Sequence, residues 1–97
     1  MENSKSLKKI AKASLPVLKK NGVVKAGIFG SVARGEEKRK SDVDFLVKFK
    51  GQKSLLDLVR LERELKTRLK RKVDVVTYNS VNSYLKERIM KEEVRIL

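Results

Sequence analysis

Residues 28–47, IFGSVARGEEKRKSDVDFLV, constrain the fold more tightly than any other stretch of the chain. An apolar run (Val23 and Val24, then Ala26 to Phe29) suits a buried strand, Gly30-Ser31 turns it, and a second apolar run carries Asp42 and Asp44. Residues i and i+2 of a strand share a face, so the two aspartates are expected to project together while Val43 and Phe45 pack the other way. A glycine–serine turn that leads into a helix exposes backbone N–H groups suited to phosphate oxygens. Two carboxylates beside such a turn are the ingredients of a magnesium–nucleotide site. Read alone, the pair keeps a second meaning: Asp42 can cap the loop and Asp44 can lie solvated on an open sheet face, with nothing bound. Against this stands the cost of two like charges on a strand otherwise built from Val43, Phe45, Leu46 and Val47, a cost that a divalent cation removes.

Helices and strands alternate around this stretch. Leu7, Ile10, Ala11, Val17 and Leu18 fall on one helical face with lysines opposite, which predicts a helix from about Ser4 to Lys20. Pro16 either kinks it or divides it into two turns, and Asn21-Gly22 stops it. A strand over about Val24–Phe29 follows, then a short helix over Ser31–Gly35 with its N-terminus toward the site. A charged loop over Glu36–Lys40 leads to a second strand over Asp42–Phe49. Ser54 and Asp57 form a capping-box signature for a helix that buries Leu55, Leu58, Leu61, Leu65 and Leu69; Glu62, close to that stripe, has no account in the sequence. Lys70-Arg71-Lys72 end it where cations suit the helix dipole. Val73–Thr77 is the third strand. Polar caps at Asn79–Ser83 precede a last helix over Tyr84–Met90 with Leu85 and Ile89 inward, and Val94–Leu97 extends along an edge or docks as a tail. The pattern predicts one small α/β (α+β) domain over residues 1–97, a three-stranded mixed sheet flanked by about four helices.

Other residues offer chemistry with a plain alternative beside it. Asp74 interrupts Val73–Val76, a strand otherwise wholly apolar; buried acids are seldom unpaired, and an ion pair with Lys72 or Arg71 is the plain reading. Gly30 permits close backbone approach, and Ser31 offers a hydroxyl and an N–H to a triphosphate. An ordinary turn with Ser31 as N-cap is compatible with that role. Arg34 can bind two phosphate oxygens at once or sit on a helix surface. Lys38-Arg39-Lys40 and Lys70-Arg71-Lys72 flank the acidic strands and either bring a basic rim to the site, suited to triphosphate or RNA, or, on the plainer reading, are solvated loop and helix-end residues. Tyr78 and Tyr84 read as packing residues at element ends.

Composition excludes several classes. Without cysteine there is neither a disulfide framework nor a thiolate metal site. Without histidine, acid–base chemistry runs on other groups, and any metal sits on oxygen ligands. Lysine and arginine total 25 against 12 acidic residues, a formal charge of +13. This invites RNA, DNA or nucleotides, or reflects a charged surface of the kind thermophiles use. No apolar stretch reaches the length of a membrane span, and no signal-peptide core precedes the domain, so a cytoplasmic protein is the expectation.

GSVARG followed by SDVDFLV resembles the signature of the DNA polymerase beta-like nucleotidyltransferase superfamily. The agreement runs from about Leu7 onward, including LLDLVRLERELKTRLKRKVDVVT and YLKERIMKE, and is closer to the single-domain branch, the minimal nucleotidyltransferases (MNT). The resemblance implies the nucleotidyltransferase fold and two Mg2+ ions held by Asp42, Asp44 and Asp74. Asp74 would bind the ion that activates the acceptor hydroxyl or take its proton, and Gly30, Ser31 and Arg34 would hold the triphosphate. It further implies ATP as substrate and a HEPN-domain RNase toxin as partner, adenylylated by an MNT antitoxin. Two other readings stay open: an antitoxin that neutralises HEPN by contact alone, and a basic nucleic-acid-binding domain without catalysis, the less favoured of the three.

Overall fold

In a computed structural model that describes residues 2–35, 42–81 and 83–97, helices and strands alternate along the chain. They are α1 (Glu2–Lys20), β1 (Val23–Phe29), α2 (Ser31–Arg34), β2 (Val43–Phe49), α3 (Leu55–Leu69), β3 (Val73–Thr77), α4 (Ser83–Glu92) and β4 (Val94–Arg95), with a 3-10 turn at Tyr78–Ser80. The strands form one mixed sheet in the order β3-β2-β1-β4. β1 is antiparallel to both its neighbours. β2 is parallel to β3, and α3 supplies the long crossover such a pair requires. The expected architecture stands with one correction: the sheet has four strands, not three. Val94 and Arg95 pair with Ile28 and Gly27, and Ile96 and Leu97 continue with backbone bonds to Ala26. The tail thereby occupies N–H and C=O groups that an edge strand would leave open.

Alternation along the strands separates two faces. Ala26 and Ile28, then Val43, Phe45 and Val47, then Val73 and Val75 turn to one side, where they pack with Ile10 and Leu18 of α1 and Leu61 and Leu65 of α3. Apart from Ala26, each such side chain contributes about 1.5–3 kcal/mol on burial. The other face carries two cross-strand rows, Phe29–Asp44–Asp74 and Gly27–Leu46–Val76. One face holds the domain together, and the other is left for chemistry.

Several local expectations change. α1 begins at Glu2 and runs through Pro16 as one helix. Pro16 and Lys12 are exposed, so the carbonyl deprived of its N–H donor can turn to water. Ser14, which the apolar pattern passes over, is fully buried and its hydroxyl donates to the Ile10 carbonyl at 2.6 Å. The capping box forms, with the Ser54 N–H donating to Asp57 at 2.8 Å. Leu55, however, is 74% exposed, because a cleft separates the first turn of α3 from the strand ends. Glu62 is the partner of Lys66 one turn on, at 3.7 Å. β3 is an edge strand rather than a wholly buried one, which is why Asp74 is exposed. α4 is longer than expected, and Leu85 points out instead of in; this helix is tied to α2 at its last turn, where Glu92 pairs with Arg34. Residues 36–41, including the Glu36–Lys40 loop and Lys38-Arg39-Lys40, lie outside the described residues, as does the side chain of Tyr84. Among the described residues no helix is long and apolar enough to cross a membrane.

Candidate functional site

The site is built on the turn after β1. Gly30 has φ 78° and ψ −154°, a region essentially closed to residues with a Cβ. A Cβ at this position would also stand 3.2 Å from the Asp44 Cγ and still closer to its Oδ2. Backbone and neighbour therefore both demand glycine, and the bare turn lets the Asp44 carboxylate lie against it. Asp44 pairs in register with Phe29 on β1 and with Asp74 on β3. Asp42 is exposed and stands one residue ahead of β2, rather than within the strand as expected. Ser31 is the first residue of α2, anchored to the core by the buried Val32. Gly30, not Ser31, occupies the cap position, and no side chain caps the helix. The Ser31 hydroxyl is thus not used for capping.

Electrostatics concentrate on Asp44. Its carboxyl is pushed up to about 6, first by burial and then by the negative charges of Asp74 and Asp42, while Arg34 pulls the other way. A hydrogen bond with Asp74 adds to the rise. Among the described residues no group of three or more carboxylates forms a preformed ion cage. Magnesium does not need one, since it is commonly bound through one or two carboxylates with substrate phosphates and waters. The donor set is all oxygen, and the like charges facing Asp44 are ones a divalent cation would neutralise, so the residues fit Mg2+. Arg34 donates to Glu92 Oε2 at 3.1 Å while its charge acts on Asp44. It therefore stands between the carboxylates and α4.

The direction of this shift sets a pH dependence. The folded state holds Asp44 above its ordinary value of 3.8, so it binds the proton more tightly than the unfolded chain does. The stability this contributes is present below about pH 4 and is lost as pH rises through about 6. Asp44→Asn removes the ionisation, so without metal its melting temperature is expected to exceed that of the wild type by about 5 °C at pH 7.5. The difference should vanish near pH 4. A constant difference between pH 4 and 8 would show that this carboxyl titrates normally.

A second group on the same face escapes a reading of the sequence. Tyr78 is more than a packing residue: its hydroxyl donates to Glu93, and Lys25 Nζ lies 4.4 Å from its ring centroid. Burial, then the Glu93 carboxylate, pushes the phenol upward. Glu93 in turn rests on Gly27, where a Cβ would stand 2.6 Å from its Cδ. Glycine in the middle of a strand is the signal for such a close approach. This brace crosses the Gly27–Leu46 row, where Leu46 is only 1% exposed although it points away from the main core. A cleft of about 650 Å3 lies elsewhere, at the other end of β2 and β3, and the carboxylates do not line it.

The sequence and the fold both have counterparts among known proteins. The family model described as polymerase beta, nucleotidyltransferase matches residues 8–97. A candidate protein adenylyltransferase of Methanocaldococcus jannaschii is 51% identical over 92 residues, which are 95% of this chain and 99% of that protein. A solved structure of a candidate minimal nucleotidyltransferase superposes with a TM-score of 0.80 at 36% identity, covering 93% of this chain and 92% of that one. The fold is also that of a chain in the complex of tri-AMPylated Shewanella oneidensis HEPN toxin with MNT antitoxin. That match has a TM-score of 0.74 at 17% identity, covering 93% of this chain and 71% of the other.

Proposed function

This chain belongs to the polymerase beta nucleotidyltransferase family, and from that membership we propose that it transfers adenylyl groups from ATP to a hydroxyl of a HEPN-domain toxin, as the antitoxin of the pair. The observation that carries the reading is the Asp44–Asp74 pair, set across two strands with the Asp44 carboxylate against the bare backbone of Gly30. The M. jannaschii relative's name supports adenylyl transfer to protein. The HEPN complex of a fold neighbour supports the partner.

Asp42, Asp44 and Asp74 would hold magnesium, which when bound supplies charge neutralisation at the phosphates. The Gly30–Ser31 turn offers N–H groups and a hydroxyl to the triphosphate, and Arg34 exchanges Glu92 for a phosphate oxygen. Asp74 takes the proton of the acceptor hydroxyl. The acceptor oxygen bonds to the α-phosphorus, the bond from that phosphorus to the bridging oxygen breaks, and pyrophosphate leaves with the electron pair. An exposed edge-strand position keeps Asp74 within reach of a side chain on another macromolecule. Such chemistry belongs in the cytoplasm, where ATP and magnesium are plentiful.

The deciding experiment incubates the protein with its HEPN partner, Mg2+ and ATP. Mass spectrometry is expected to show adenylyl units added to a tyrosine of the partner. An unmodified partner whose RNase activity is nonetheless blocked in stoichiometric mixture would make the protein an antitoxin by contact alone.

A further inference from the structure

Helix α3 begins by exposing what helices usually hide. Leu55 and Leu56 are 74% and 75% exposed, and Val59, one turn on, is exposed as well. Leu55 lines the 650 Å3 cleft, together with Phe49, Leu58 and Thr77. Lys48 and Lys53 stand on its walls, and Lys50 is exposed close by. An apolar centre with a polar rim is the anatomy of a protein interface. Here the charged residues that line the cleft are lysines, while Asp57 of the first turn is engaged by Ser54 in the capping box. A second copy of this chain would bring the same lysines and a formal charge of +13 to meet them, which opposes self-association. RNA would find phosphate partners at the rim, but the exposed centre is leucine and valine, which give a nucleobase no ring to stack on. The two rings that line the cleft, Phe49 and Tyr78, are only partly exposed, and Lys25 already lies over Tyr78.

We propose that this cleft and the first turn of α3 form a docking surface for an acidic protein segment that carries bulky apolar anchors. Apolar anchors fill the cleft and cover Leu55 and Leu56, while acidic residues meet Lys48, Lys50 and Lys53 and speed the encounter at low salt. The surface lies at the far end of β2 from the carboxylates: Phe49 is five residue steps beyond Asp44, about 17 Å along the strand. A protein held there leaves the Gly30 turn open to nucleotide, so the surface stands apart from the transfer site and does not depend on its assignment.

The test titrates 15N-labelled protein with three probes: a short amphipathic peptide of leucine anchors and glutamates, the same peptide with lysine for glutamate, and single-stranded RNA. The acidic peptide is expected to shift amides within residues 47–59 and 77–79 and to bind about tenfold more weakly to Leu55→Ser/Leu56→Ser. The lysine peptide should not bind. Because both leucines already face water, the double variant should melt with the wild type and keep its response to Mg2+ and ATP. The surface is refuted if the acidic peptide fails to bind or binds the variant equally well. It is also refuted if RNA shifts these amides, or if the wild type dimerises through these leucines. A wild type that ignores Mg2+ and ATP but binds the acidic peptide would sink the transfer reading alone.

Discussion

Asparagine at both positions 42 and 44 is expected to abolish nucleotidyl transfer, together with the rise in melting temperature that magnesium and ATP give the wild type. A ligand that binds only the folded state stabilises it by about 2.7 kcal/mol at a hundred times its Kd. For a domain of this size that is a rise on the order of 10 °C. The double variant should show none of it, because on the proposed reading the two residues it alters would meet the metal beside the Gly30 turn. Asparagine keeps the shape of aspartate, so the fold should survive. Asparagine at 44 leaves no carboxylate to be buried or to be repelled by Asp74 and Asp42, the causes that lift Asp44 to about 6, so the metal-free variant should melt no lower than the wild type at neutral pH. A double variant that retained the full response to Mg2+ and ATP would remove these aspartates from the site.

Asp74→Asn should separate binding from chemistry. The residue is exposed on the edge strand, in register with Asp44 but on the far side of it from the Gly30 turn. Triphosphate binding at the turn should therefore persist, and much of the thermal response to nucleotide with it. Transfer should fall by about a hundred- to ten-thousand-fold, the usual cost of losing a positioned acid–base group. Single-turnover transfer to the partner, measured at saturating nucleotide, reads this directly. Near-normal transfer would reduce Asp74 to a hydrogen-bonding neighbour of Asp44.

The features that could be read from the sequence are those whose cause is local. Gly30 follows an apolar run and precedes a short helix, and its conformation and its contact with Asp44 both require glycine. The period of two along β2 was enough to put Asp44 on the face opposite Val43 and Phe45. Where the cause is distant, the reading stopped. Glu93 reaches Gly27 from a distant part of the sequence, and only the pairing of β4 with β1 brings them together. β4 is two residues long, too short for any alternation to announce it. Leu55 fits the same helical stripe as Leu61 and Leu65, and no periodicity says where a helix overhangs its sheet. Asp74 was expected in a buried strand because an apolar run cannot tell an edge from a centre.

The pairing of β4 with β1 also sets an order of events for a chain leaving the ribosome. Ala26 bonds to Leu97, roughly seventy residues away in sequence, and contacts of such long range form late. The glycine turn, the Asp44 strand and the crossover through α3 are all synthesised earlier, so the acidic end of the sheet can take shape while the outer edge of β1 is still bare. During that interval Ala26, Gly27 and Ile28 present open backbone groups that a strand from another nascent chain could match. Residues 94–97 then compete for that edge in cis, and Glu93, seated where Gly27 leaves room and held by Tyr78, acts as the latch that favours the intramolecular partner.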